Sequence, residues 1–175
     1  MTAASGDFAL TLDELRVVAR YALHSADGVL PVYEAACPGD HRPRAALAAA
    51  REFADGAPRT KRQRVTSLDA HRAARNAPTE VARLAARCAG DAASAAYLHP
   101  LARTDQVGHI LRAAASAARI AELTDGDDGR RRALEVARRR ATPTLIDVLR
   151  RYPRPGPGTS RVSRLMSELD AALRD

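Results

Sequence analysis

The chain has no tryptophan, and phenylalanine and tyrosine together make up only 3% of its 175 residues. A β-sandwich or barrel draws on aromatic and β-branched residues to cover its pleated faces, so this scarcity argues against one. Cysteine is nearly absent too. Cys37 and Cys88 are too few and too far apart for a metal framework. They form at most one disulfide, in a chain that nothing else marks as secreted. No stretch approaches 18 uninterrupted apolar residues, which excludes a membrane-spanning helix. Met1 to Leu10 lacks a basic region followed by an apolar run, so no signal peptide is expected and the cytoplasm is the default location.

What is present is alanine and arginine. Hydrophobic residues are 46% of the chain and alanine dominates them. Alanine has the highest helix propensity, and its small side chain lets helix backbones approach closely. The length suits one domain with a core that needs no staples. The formal charge is +7, and Lys61 is the only lysine. Two readings stand side by side: attraction to an anionic partner, or the alanine-plus-arginine usage that GC-rich coding produces.

Helix boundaries are legible along the chain. Thr11 with Glu14 three residues later is a capping box, and Leu12, Leu15, Ala19, Ala22, Ala26 and Val29 follow at helical spacing. Pro31 is expected to kink or restart this helix before Cys37-Pro38-Gly39-Asp40 ends it. A second helix is expected over 43–55 with Gly56 as its C-terminal cap, and a third over about 60–76. Pro78 suits the first turn of a fourth, which His99-Pro100 interrupts. A fifth helix, near 104–123, is apolar on more than one side and is expected to be the axis. Asp125 to Gly129 reads as a loop before a sixth helix to about Arg140, and Thr142-Pro143 opens a seventh. The expectation is an all-α, irregular bundle of about seven to eight helices. It divides into a helical bundle over 1–152, a Pro/Gly linker over 153–159 and a C-terminal helix over 160–175 packed on the same domain.

Candidate chemistry is thin. The histidine spacings give no i, i+4 pair with an intervening Glu, so no metal site is expected. No serine or cysteine lies in a nucleophile elbow, and no glycine-rich loop meets the phosphate-binding pattern, so no cofactor is expected. The residues that could line a pocket are His71, Tyr97, His99 and His109. His99 continues the stripe of the fourth helix and should be partly buried, and Asp105 is placed to pair with His109. The bland reading of such histidines is a core residue bonded to a carbonyl or carboxylate. Basic runs at Arg59-Thr60-Lys61-Arg62-Gln63-Arg64, Arg130-Arg131-Arg132, Arg138-Arg139-Arg140 and Arg150-Arg151 with Arg154 could contact phosphate, with Arg138, Arg139 and Arg140 as the candidate anion contacts. Adjacent arginines on a helix point about 100° apart, however, and aromatics for stacking bases are lacking.

Three stretches carry a family resemblance. The first runs from Leu12-Asp13-Glu14-Leu15-Arg16 through Val29-Leu30-Pro31-Val32-Tyr33-Glu34 to Pro43-Arg44-Ala45-Ala46-Leu47. The second is Ala70-His71-Arg72-Ala73-Ala74-Arg75. The third joins Ala96-Tyr97-Leu98-His99-Pro100-Leu101-Ala102, Gln106-Val107-Gly108-His109-Ile110-Leu111 and Ala117-Ala118-Arg119. With these the chain resembles actinobacterial helical proteins of the Imm-five-like immunity group, some of whose relatives are labelled as an exonuclease subunit. The resemblance implies a non-enzymatic protein that neutralises a cognate protein toxin by direct binding, and it brings no catalytic residues. An exonuclease ATPase subunit needs a phosphate-binding loop, a long coiled coil and a Cys-x-x-Cys hook, and the chain has none of them. The alternative reading is a basic helical protein that binds nucleic acid through its arginine runs. The third is a small-molecule-binding or enzymatic domain around His99 and His109.

Overall fold

The computed structural model describes residues 6–175, so the first half of the Met1–Leu10 leader reading lies outside the described residues. The fold is all-α, 76% helical and without strands among the described residues. Seven helices follow in order: α1 Leu12–Ala36, α2 Arg42–Ala54, α3 Lys61–Arg75, α4 Glu80–Ser94, α5 Val107–Arg140, α6 Pro143–Arg150 and α7 Arg161–Arg174.

Local chemistry sets most of the boundaries. Thr11 and Glu14 form the reciprocal capping box, and Thr60 with Gln63 forms a second at the head of α3. Gly56 ends α2 with φ +112, a left-handed conformation that glycine adopts without steric cost. Two prolines behave otherwise than the pattern suggests. Pro31 sits inside an unbroken α1. It is exposed while Leu30 and Tyr33 beside it are buried, so packing holds the helix together and solvent can hydrate the freed carbonyl. Pro78 lies just outside α4, because Thr79 is the N-cap and accepts from the Ala82 amide. The expected loop from Asp125 to Gly129 shrinks to one non-helical residue. Gly126, at φ 66 and ψ −153, breaks α5 between two helical runs that otherwise continue directly.

The Val107–Leu123 half of α5 lies centrally, packed by α1, α4 and α7, with Val107, Ile110, Leu111, Ala114 and Ala118 buried. Helix α4 shares the centre. It is covered by α1, α2, α3 and α5, and Ala82, Ala85, Ala86, Ala89, Ala92 and Ala93 are all fully buried. Two segments close the bundle. Before α1, Gly6 to Leu10 runs extended against residues 100–102: the Asp7 amide donates to the Pro100 carbonyl at 2.8 Å, and its carboxylate accepts from the Ala102 amide at 2.7 Å. Residues 153–158 are irregular, and α7 then returns with Leu165, Leu169 and Leu173 buried. Both cysteines are free.

A buried ion pair ties that return. Arg174 donates to the Asp170 carboxylate at 2.8 Å and to the Tyr152 carbonyl at 2.9 Å. Both charged side chains are more than nine-tenths buried. Removing one partner strands the other charge away from water, which costs more than the pair itself contributes. Asp170→Ala is therefore expected to destabilise by about 3 kcal/mol, lowering Tm by roughly 6–12 °C in a thermal melt. Asp128→Ala at an exposed ion pair is expected to stay within about 0.5 kcal/mol of wild type.

Candidate functional site

The four histidine and tyrosine positions separate into two neighbouring places. Tyr97 and His99 line an open groove of about 1280 Å³. One wall is the extended segment from Gly6 to Leu10, and a Cβ on Gly6 would sit 2.5 Å from Pro100, so glycine permits the close approach. The other wall is the outward face of α3, with Arg64 and Leu68, and the turn from Tyr97 to Pro100 closes one end. His99 is exposed, contrary to its place on the apolar stripe, because α4 ends at Ser94 and the single 3-10 turn Ala95–Tyr97 shifts the register. Leu98 takes the buried position instead. The backbone of His99 is fixed on both sides: its amide donates to Gln106 Oε1 and its carbonyl accepts from the Tyr152 hydroxyl.

His71 and His109 stand behind the groove, linked to it by Ser67 and Ser94, which contribute to the groove lining. Ser67 donates to the Gly90 carbonyl at 2.8 Å, and Ser94 Oγ lies 3.2 Å from His109 Nδ1. Between them is Asp91 of α4, a buried carboxylate that the sequence reading passed over. His71 Nε2 is 3.6 Å from Asp91 Oδ1, and an Arg112 nitrogen is 3.8 Å away. Asp91 Oδ2 is buried with no hydrogen-bond partner. Two glycines make this arrangement possible. A Cβ on Gly90 would stand 2.7 Å from His71 Nε2, and one on Gly108 would collide with the Arg112 guanidinium that folds back over it. The legible signal was an aspartate on the otherwise apolar, alanine-rich face of α4.

Electrostatics follow from burial. Desolvation pushes Asp91 up to about 6, with Arg112 and Arg87 opposing it. His109 is pushed down to about 4, chiefly by burial and then by the positive charge of Arg112. His71 shifts the same way, by burial and by Arg87, Arg112 and Arg75. Asp105 does not pair with His109. It is exposed and bound to Arg103 at 2.8 Å, because it sits in the 3-10 turn that precedes α5 and not on the helix itself.

Ser94 Oγ lies between two partners, the Asp91 carbonyl at 2.9 Å and His109 Nδ1 at 3.2 Å, and the imidazole tautomer sets which atom donates in the second contact. Among the described residues no three His, Cys, Asp or Glu side chains are grouped to hold a metal ion.

The arginine run Arg138–Arg140 lies on the far half of α5. Arg138 and Arg139 both bind the Glu135 carboxylate, at 2.9 and 2.7 Å, and hold it at about 2. Arg140 contacts the His24 carbonyl at 3.5 Å. The preceding run is occupied as well: Arg130 with Glu168 and Asp127, Arg131 with Asp128, Arg132 with Asp125.

Fold and site together define a helical protein with a preformed open groove and a buried polar cluster beside it. Residues 9–143, more than half of the chain, match the family model described as Imm-5 like putative immunity protein. The chain belongs to this Imm-5 like family. Comparison with curated proteins and with solved structures gives no match.

The cluster makes stability depend on pH in two opposing ways. Native Asp91 keeps its proton up to about pH 6, whereas its unfolded carboxyl releases it near 3.8. The native state therefore binds more protons in that window, and the contribution is lost as pH rises through it. His109 runs the other way. Its native imidazole is neutral down to about 4 and its unfolded one protonates near 6.5, so stability is lost as pH falls. Asp91→Asn keeps the second effect and removes the first. Its stability relative to wild type is expected to rise by about 2 kcal/mol between pH 4 and pH 6.5, read as diverging Tm values. A difference that does not change with pH would contradict this account of Asp91.

Proposed function

We propose that the protein is a non-enzymatic immunity protein that neutralises a cognate protein toxin by binding it in the cytoplasm of the cell it protects. The observation that carries this reading is the family match over residues 9–143, which spans α1 to α5 and includes the α3 wall of the groove and the turn from Tyr97 to Pro100. A groove of about 1280 Å³ exceeds the cleft of roughly 300–1,000 Å³ that a small ligand fills, and it suits a length of polypeptide. The nucleic-acid reading loses support at its run Arg138–Arg140. Arg138 and Arg139 share one carboxylate, so presenting them to phosphate means first breaking those pairs.

The test is a pull-down with the tagged full chain from its native host, with nuclease-treated lysate and a moderate-salt wash. One protein in near-equal amount, whose toxicity the chain suppresses when the two are co-expressed, is the expected result. Arg138→Ala with Arg139→Ala and Arg140→Ala is expected to leave that capture unchanged. Recovery of nucleic acid alone from untreated lysate, lost in this triple variant, would overturn the reading.

A further inference from the structure

The described residues carry five exposed large apolar side chains; one, Val65, stands one helical turn before Leu68 on α3, and two others line the groove. Leu12 is 41% exposed and Leu68 49%, and both line it. Val65, at 49%, adjoins them on the outward face of α3, one residue past Arg64. Exposed apolar side chains scattered singly need no explanation, but a group of them around a concavity marks a contact surface. Phe8, Leu10, Leu98 and Pro100 extend the apolar lining inward.

The charge at this surface is of one sign. Arg59 and Arg64 line the groove and no carboxylate does. Arg59 is held in place: it donates to the Ala96 carbonyl at 3.1 Å, and its guanidinium lies 5.3 Å from the Tyr97 ring centroid. Arg64 is exposed and has neither an ion pair nor a hydrogen bond among the described residues. Arg62, two residues away, is paired with Glu52 at 2.5 Å. Arg75, Arg83 and Arg87 are likewise exposed and unpaired among the described residues, but of these four only Arg64 lines the groove, beside the exposed Leu68.

The walls are also built before anything arrives. Asp7 and Gly6 pin the extended segment to residues 100–102, and Arg151 grips its other end through the Ala9 carbonyl at 3.0 Å and the Glu14 carboxylate at 2.5 Å. Phe8 packs edge-on against the buried Tyr152 at 4.9 Å. A groove ordered in advance asks little further ordering of the protein on binding, so more of the contact energy appears as affinity.

We infer that this groove receives an acidic segment of the partner protein, with its carboxylates on Arg64 and Arg59 and its apolar side chains between Leu12, Val65 and Leu68. The inference rests on the immunity reading and names the part of the toxin that is engaged. Charge complementarity selects the occupant. A basic segment or a second copy of this +7 chain would bring like charge to the two arginines.

The test uses the full chain and two fluorescent amphipathic peptides, one repeating Glu-Leu-Leu-Glu and the other with Lys in place of each Glu. Anisotropy is expected to show binding of the acidic peptide and at least about ten-fold weaker binding of the basic one. Arg64→Glu and Leu68→Glu, both exposed and therefore compatible with folding, should each weaken the acidic peptide about ten-fold or more. Val136→Glu, an exposed apolar position on α5 far along the chain, should not. Equal binding of both peptides, or full binding by the α3 variants, overturns the inference. So does a dimer in sedimentation that Leu68→Glu dissolves. The host partner separates the two levels. If wild type and Arg64→Glu/Leu68→Glu capture it equally, the groove assignment falls and the immunity reading stands. If no partner is captured at all, the immunity reading falls, whatever the peptides do.

Discussion

The structure depends on how closely helices can approach α4. Its buried faces are mostly alanine, so α1, α2, α3 and α5 all close on it with little side-chain bulk between the backbones. Close packing of small groups replaces the large aromatic contacts that the composition cannot supply. The same closeness leaves Asp91 nowhere to reach water. His71 fits over it only because Gly90 lacks a Cβ, and Arg112 only because Gly108 does. The polar cluster is thus a consequence of alanine packing, and its shifted protonation is a consequence of burial.

Arginine does its work mostly inside the molecule. The +7 charge invites a phosphate-binding interpretation, yet the run on α5 is tied to Asp125, Asp127, Asp128, Glu135 and Glu168. Glu122 shows how far this goes. It accepts from Arg119 and Arg161, is held at about 2, and so fastens the start of α7 to α5. Such pairs contribute modestly one by one and act together as a network across helix seams. Arg64, one of several arginines without a carboxylate partner among the described residues, gains meaning because the groove it lines holds apolar side chains and no carboxylate.

Much of the fold was legible because its signals are local. The capping box at Thr11 and Glu14, the C-terminal glycine at Gly56 and the Thr142-Pro143 start all act within a few residues, and each stands where the pattern places it. The misreadings share a cause. Pro31 was read by its intrinsic effect, but buried neighbours on both sides carried the helix through it. His99 was read on the period of α4, but the helix ends five residues earlier and a 3-10 turn changes the phase. For the site, Tyr97, His99 and His109 were visible as a cluster in sequence. That the rings separate into a groove and a cavity behind it was not visible, since α3 supplies the missing wall in each case.

By itself the sequence determined the helical class, the placement of most helix ends and the absence of the familiar catalytic patterns, since composition and short-range hydrogen bonding decide these. Only the tertiary structure decided which polar groups meet. Asp91 faces His71 and Arg112 across three helices, and the extended segment before α1 reaches residues 100–102 to wall a groove. Those meetings depend on how closely helices pack and which side chains glycine makes room for, and neither is written at any spacing along the chain.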